Sequence, residues 1–148
     1  MQYFTRSAWS ILAMVALVGC QGPDTSPNSK MTDVAPTNTE LAAYAGAHAF
    51  PTTRPTHETK VAAIISADRS ALHLYNFGNE ALSPVDVWVN RAYVVHLRGI
   101  PANGSVIVKT ADLYNALGKS FASQSDPIGQ VNLLTPTEFY NVMGPVAQ

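Results

Sequence analysis

From Val61 to Leu134 the apolar residues fall into short runs and alternations, each bounded by turn-forming residues. Val61–Ile65 is a continuous apolar run rich in β-branched side chains, the pattern of a buried strand. Asp68-Arg69-Ser70 makes a turn, and Ala71–Phe77 then alternates. Leu72 and Leu74 fall on one face, with His73, Tyr75 and Phe77 on the other. Gly78, Asn79 and Pro84 mark a loop. The clearest unit runs from Val85 to Leu97, where Val85, Val87 and Val89 alternate with Asp86, Trp88 and Asn90 before a second β-rich run. A two-residue turn at Asn90-Arg91 would place Val89 opposite Ala92, Trp88 opposite Tyr93, Val87 opposite Val94 and Val85 opposite His96. In that register one face is aliphatic and must be core, and the other carries Asp86, Trp88, Tyr93 and Val95. Arg91 is an unusual residue where φ is positive, which leaves a longer loop open.

Beyond this hairpin, Gly99–Gly104 is a turn region and Val106–Val108 a further strand. Thr110 is placed to cap a short helix from Ala111 to Leu117, with Gly118 as its left-handed terminator. Ser123–Pro127 reads as a polar loop and Gln130–Leu134 as the last strand. Thr135, Pro136 and Glu138 form a capping-box pattern for a final helical turn, which Gly144-Pro145 ends. Short strands with regular turn signals predict a mainly β fold over residues 58–148: a small antiparallel β-sandwich or barrel-like domain with one or two short helices. No internal repeat is visible.

The pattern before residue 58 is different. Residues 21–57 are poor in large apolar side chains, rich in Pro, Thr, Ser, Asn and Ala, and punctuated by Pro23, Pro27, Pro36, Pro51 and Pro55. Proline removes backbone donors and biases its neighbour toward extended conformations. A segment with so little apolar surface is expected to stay disordered, so residues 20–57 read as a Pro/Thr-rich tether. Within it, Glu40–Ala45 can form one helical turn.

At the start of the chain, Arg6 precedes an apolar run of about 13 residues, Ser7–Gly19, closed by the single cysteine, Cys20. The run is short of the ~20 residues a membrane-spanning helix needs, so residues 1–19 read as a secretory signal. The ordering of Leu17-Val18-Gly19-Cys20 behind that run resembles the lipobox of bacterial lipoproteins. The resemblance implies cleavage before Cys20, a diacylglyceryl thioether on its sulfur and an acyl group such as palmitate on the new amine. Two or three chains on one residue meet the two-signal requirement for stable anchoring. Gln21, being other than Asp, implies sorting to the outer membrane, so the expected location is the cell envelope.

Composition narrows the candidates for function. Charged residues make up 13% of the chain and the net charge is −1, with no block of like charges, so neither a nucleic-acid footprint nor a polybasic membrane patch is expected. With its one cysteine taken by the anchor, the domain has no disulfide and rests on its core. His48 and His57 lie in the tether and His73 and His96 on separate strands, without metal-ligand spacing, so no metal or cofactor is expected. No G-x-S-x-G motif accompanies Ser70, Ser105 or Ser120, and an enzyme is not expected. Asn79-Glu80, Asp86 and Asp112 lack the dense acidic spacing of a calcium loop. Trp88 and Tyr93, with Asp86 beside them, form the candidate binding face, because exposed rings give large contact area at low entropy cost. The competing role is cross-strand packing.

The strands "LYNFG" and "VDVWVN", with "IPANG" and "LYNALG" between Leu72 and Gly118, loosely resemble small β-sandwich domains of uncharacterised bacterial lipoproteins. The resemblance bears on fold more than on activity. The expectation is a lipid-anchored, non-enzymatic envelope module that binds an envelope protein or glycan. The alternatives are a structural accessory subunit pairing through its sheet edge, or a small hydrolase or metal-binding protein.

Overall fold

The computed structural model describes residues 35–53 and 56–147. The expected signal, Cys20, Gln21 and the first part of the tether lie outside the described residues. One helix, α1 (Asn38–Ala47), precedes eight strands: β1 (Thr56–Ile65), β2 (Ala71–Asn76), β3 (Val85–Val89), β4 (Tyr93–Leu97), β5 (Gly104–Lys109), β6 (Tyr114–Asn115), β7 (Val131–Leu134) and β8 (Phe139–Ala147). The strands form a single mixed sheet in the order β5-β2-β1-β8-β7-β3-β4-β6, curled into a half-barrel. The fold is mainly β and barrel-like. Every pairing is antiparallel except β1 with β8, where the first and last strands meet in the middle of the sheet. Among the described residues no helix is long and apolar enough to cross a membrane.

The alternation in β2 appears as expected: Leu72 and Leu74 are fully buried, His73 and Tyr75 half-buried, and Phe77 is 64% exposed. Asn76 is buried with its amide satisfied, because Nδ2 donates to the Glu80 carbonyl at 2.8 Å and Oδ1 accepts from the Gly78 N–H at 2.8 Å. The loop predicted there is thus tied to the strand by one side chain.

The β3–β4 register differs from the expected one by a single residue. Asn90 and Arg91 do form the turn, with φ of 51° and 60°, and the Ala92 N–H donates to the Val89 carbonyl at 3.1 Å. Ala92 is then an extra residue, and pairing resumes with Val89 opposite Tyr93, Trp88 opposite Val94, Val87 opposite Val95, Asp86 opposite His96 and Val85 opposite Leu97. Strand side chains have a period of two, so this slip turns all of β4 over. Tyr93, Val95 and Leu97 join the valine face, whereas Val94 and His96 join Asp86 and Trp88. The turn is held by Asn90, whose Oδ1 accepts from the Gly129 and Gln130 N–H groups (2.8 and 3.2 Å) and whose Nδ2 donates to the Pro127 carbonyl at 2.8 Å. The slip lets the Tyr93 ring bury edge-on against Phe121, centroids 5.0 Å apart.

The domain also begins earlier than Glu58. Ala35–Gln148 is one compact unit, and α1 belongs to it although it was expected to be tether. Thr37 and Glu40 form a capping box: Thr37 Oγ1 accepts from the Glu40 N–H at 3.3 Å, and Glu40 Oε2 accepts from the Thr37 N–H at 2.7 Å. Leu41 and Ala45, one turn apart, are both buried in the core. An alanine-rich helix packs closely while contributing few large apolar residues, which is why composition alone assigns it to the tether.

Two other local expectations give way to tertiary structure. The helix expected over Ala111–Leu117 is a single 3₁₀ turn at Thr110–Asp112 followed by β6, which pairs with β4. Thr110 Oγ1 donates to the Arg69 and Ser70 carbonyls instead of capping, and Leu113 and Tyr114 are both buried. Gly118 does have a positive φ of 72°, but it closes a turn onto the Asn115 carbonyl. At Thr135 the capping contact forms, with Oγ1 accepting from the Glu138 N–H at 3.0 Å. The chain then enters β8, so Gln130–Leu134 is not the last strand.

Candidate functional site

The expected binding face of Trp88, Tyr93 and Asp86 is not an exposed face. Trp88 and Tyr93 lie on opposite sides of the sheet, 3% and 8% exposed, and Asp86 is also buried. The Trp88 ring meets Phe50 edge-on, centroids 5.5 Å apart, and Phe50 in turn meets Phe139 at 5.4 Å. The Arg91 guanidinium sits over the Phe50 ring at 5.7 Å from its centroid. The segment after α1 therefore covers the very face that was expected to be open.

What replaces that face is a polar cluster around Asp86. Its Oδ1 accepts from the Tyr44 hydroxyl at 2.7 Å and lies 2.7 Å from His96 Nδ1. Tyr44 Oη and His96 Nδ1 are 3.3 Å apart. α1 supplies Tyr44, while β3 and β4 supply Asp86 and His96 as a directly opposed pair. His48, one helical turn beyond Tyr44, stacks on the Tyr44 ring with centroids 3.9 Å apart. Two of the four histidines thus converge here. His73 lies on the outer face of β2, and His57 is exposed on β1.

Carboxylate contact at Nδ1 makes Nε2 the proton-accepting nitrogen of a neutral His96. The His96 side chain is 45% exposed and the Asp86 side chain 12%. A cleft of about 210 Å³ adjoins them, lined also by Tyr44, Pro84, Leu134 and Thr135. This arrangement can accept a proton or hydrogen bond from a small polar group. None of the serines singled out in the sequence reaches it. Ser70 donates to Asp68 and Ser120 to the Ala111 carbonyl, and Ser105 sits on β5 opposite Tyr75. Among the described residues no group of three or more His, Cys, Asp or Glu side chains is placed to hold a metal ion.

The cluster also latches α1 to the sheet. Burial, and then the hydrogen bond to Asp86, push the Tyr44 phenol above its ordinary value of 10.0. An unfolded chain therefore loses this proton first. The latch contributes fully below pH about 10, and its contribution fades as pH rises beyond that. Tyr44→Phe is expected to cost about 1.5 kcal/mol at neutral pH, the lower end of the range for a hydrogen bond to a charged group, because the site is only part-buried. It should also flatten the alkaline limb of stability. Urea unfolding of both proteins between pH 8 and 11 measures this, and parallel pH profiles would contradict it.

A second feature lies across the sheet. On the outer face of β2 and just past its end, His73, Tyr75 and Phe77 form a ladder with successive ring centroids 6.4 Å apart and near-parallel planes. Ile64 and Ile107 flank His73 on the neighbouring strands. Ile107 is 60% exposed. The alternation of β2 places these rings outward in the sequence itself, whereas Tyr44 escapes notice because its helix reads as tether.

No family model matches the chain, and no curated protein or solved structure matches it.

Proposed function

We propose that this chain is a lipid-anchored protein of a bacterial cell envelope whose β domain works by binding an envelope protein or glycan, not by catalysis. The observation that carries the reading is the order Arg6, apolar Ser7–Gly19 and Leu17-Val18-Gly19-Cys20 in a chain with one cysteine. Acyl chains on Cys20 hold the protein at the membrane, and Gln21 directs it to the outer membrane. The outward ladder of His73, Tyr75 and Phe77 supports a binding role, since flat rings on a rigid strand offer contact area at little entropic cost. The Asp86–His96 pair favours a second reading, a small hydrolase in which His96 acts as base. Among the described residues Tyr44, and no serine, hydrogen-bonds to the pair.

Growth with a fatty acid analogue tests the anchor. The parent chain is expected to take up label, and Cys20→Ser to remain an unlabelled, unprocessed precursor. Equal labelling of the two would overturn the reading.

A further inference from the structure

The two ends of the sheet are finished differently. β6 is two residues long, and its flank is bridged by Ser120. β5 has six residues, Gly-Ser-Val-Ile-Val-Lys, with no proline and a regular register along β2. Short strands, prolines, bulges and charged side chains are the usual protections of a sheet edge, and β5 has only Lys109, at its end.

The direction of its backbone groups follows from one contact. The Thr110 N–H donates to the Ser70 carbonyl at 2.9 Å, and the ladder pairs Ala71 with Lys109. Antiparallel pairs alternate, so Val106 and Val108 also turn their backbone groups toward β2. Ser105, Ile107 and Lys109 turn theirs outward, and all three residues are exposed.

We infer that β5 pairs antiparallel with β5 of a second copy of this chain, about a two-fold axis at Ile107. This register places Ser105 opposite Lys109 of the second copy, Ile107 opposite Ile107, and Lys109 opposite Ser105. Every outward backbone group of the strand is then engaged, and sheet faces match because the paired residues share parity. Sliding the axis to Val106 leaves only two of those pairs within the strands. Charge agrees with the first register, since the lysines face serines instead of each other. Ile107, an exposed large apolar side chain, meets its own copy. On the outer face the row Ile64–His73–Ile107 continues unbroken into the second molecule. An edge joined over five residues is small beside a standard interface of roughly 1,200–2,000 Å², so the pairing is of the weak, reversible class. It does not depend on the acyl anchor.

The full-length protein, cross-linked in intact bacteria, tests the register. Ile107→Cys is expected to cross-link to a dimer with a short bismaleimide. Ser105→Cys alone is expected not to, because its own copy lies four residues, about 13 Å, along the strand. Ser105→Cys combined with Lys109→Cys should restore the dimer. The parent chain, with Cys20 only, sets the background. Ile107→Lys, at an exposed site, should leave the unfolding midpoint unchanged and weaken self-association at least tenfold by light scattering in detergent. A parent that stays monomeric throughout, or Ser105→Cys cross-linking as well as Ile107→Cys, would overturn the inference.

Discussion

Replacing Trp88 by alanine is expected to remove about 3–5 kcal/mol of stability, the range for a truncated core aromatic. Trp88 is central in the sheet, on a strand with all five residues buried. One of its faces carries Trp88 against Phe50, and the other carries Val85, Val87 and Val89 in the core cluster. Neither side can collapse onto the space left by an indole without moving the Phe50 segment or β7, which pairs directly with β3. Urea unfolding of residues 35–148 measures the effect. A loss below about 0.5 kcal/mol, the scale of ordinary surface substitutions, would mean that the ring is not packed as described.

The second large effect concerns residues 35–57. A fragment beginning at Glu58 is expected not to unfold cooperatively. Removing α1 and the segment after it takes away Leu41, Ala45 and Phe50, uncovers Trp88, and leaves Asp86 without the Tyr44 hydroxyl. A single buried leucine truncation costs about 2–5 kcal/mol. A small domain has only about 5–15 kcal/mol in total, so the combined loss is of the order of the whole stability. Far-ultraviolet circular dichroism through a urea titration of residues 58–148 and 35–148 decides this. Equal midpoints would show that α1 is not part of the core.

How much of the fold was legible in the sequence depends on the range of the interactions involved. The β2 alternation needs only a period of two and a single buried face, so Leu72 and Leu74 could be separated from His73, Tyr75 and Phe77 without further information. The hairpin at Asn90-Arg91 was legible as a turn, but its register was not. Whether Ala92 pairs or is passed over depends on Asn90 gripping residues 127–130, nearly forty positions away. Thr110 and Thr135 illustrate the same limit. Each carries a local capping signal, and at Thr135 the predicted contact forms, yet sheet pairing sets the conformation of the residues after it. The helical turn over Glu40–Ala45 was legible, but its place in the core was not: Leu41 and Ala45 bury too little area to stand out among prolines and threonines, and only the sheet gives them something to cover.

The candidate site divides along the same line. Asp86 stood out as a carboxylate on a strand and His96 as an isolated histidine, but the one-residue register change makes them neighbours. Tyr44 could not be placed with them while its helix was read as tether. The aromatic face expected at Trp88 and Tyr93 turned out to be packing. The outward rings are on β2 instead, where the same chemical argument applies to residues already placed on one face by alternation.

Cys20 carries most of the functional reading, and the intact mass of the mature protein recovered from membranes tests it directly. The predicted result is a chain that begins at Cys20 and carries a diacylglyceryl group, with or without an acylated amine. A mature chain that begins at another residue, or an unmodified Cys20, would contradict it.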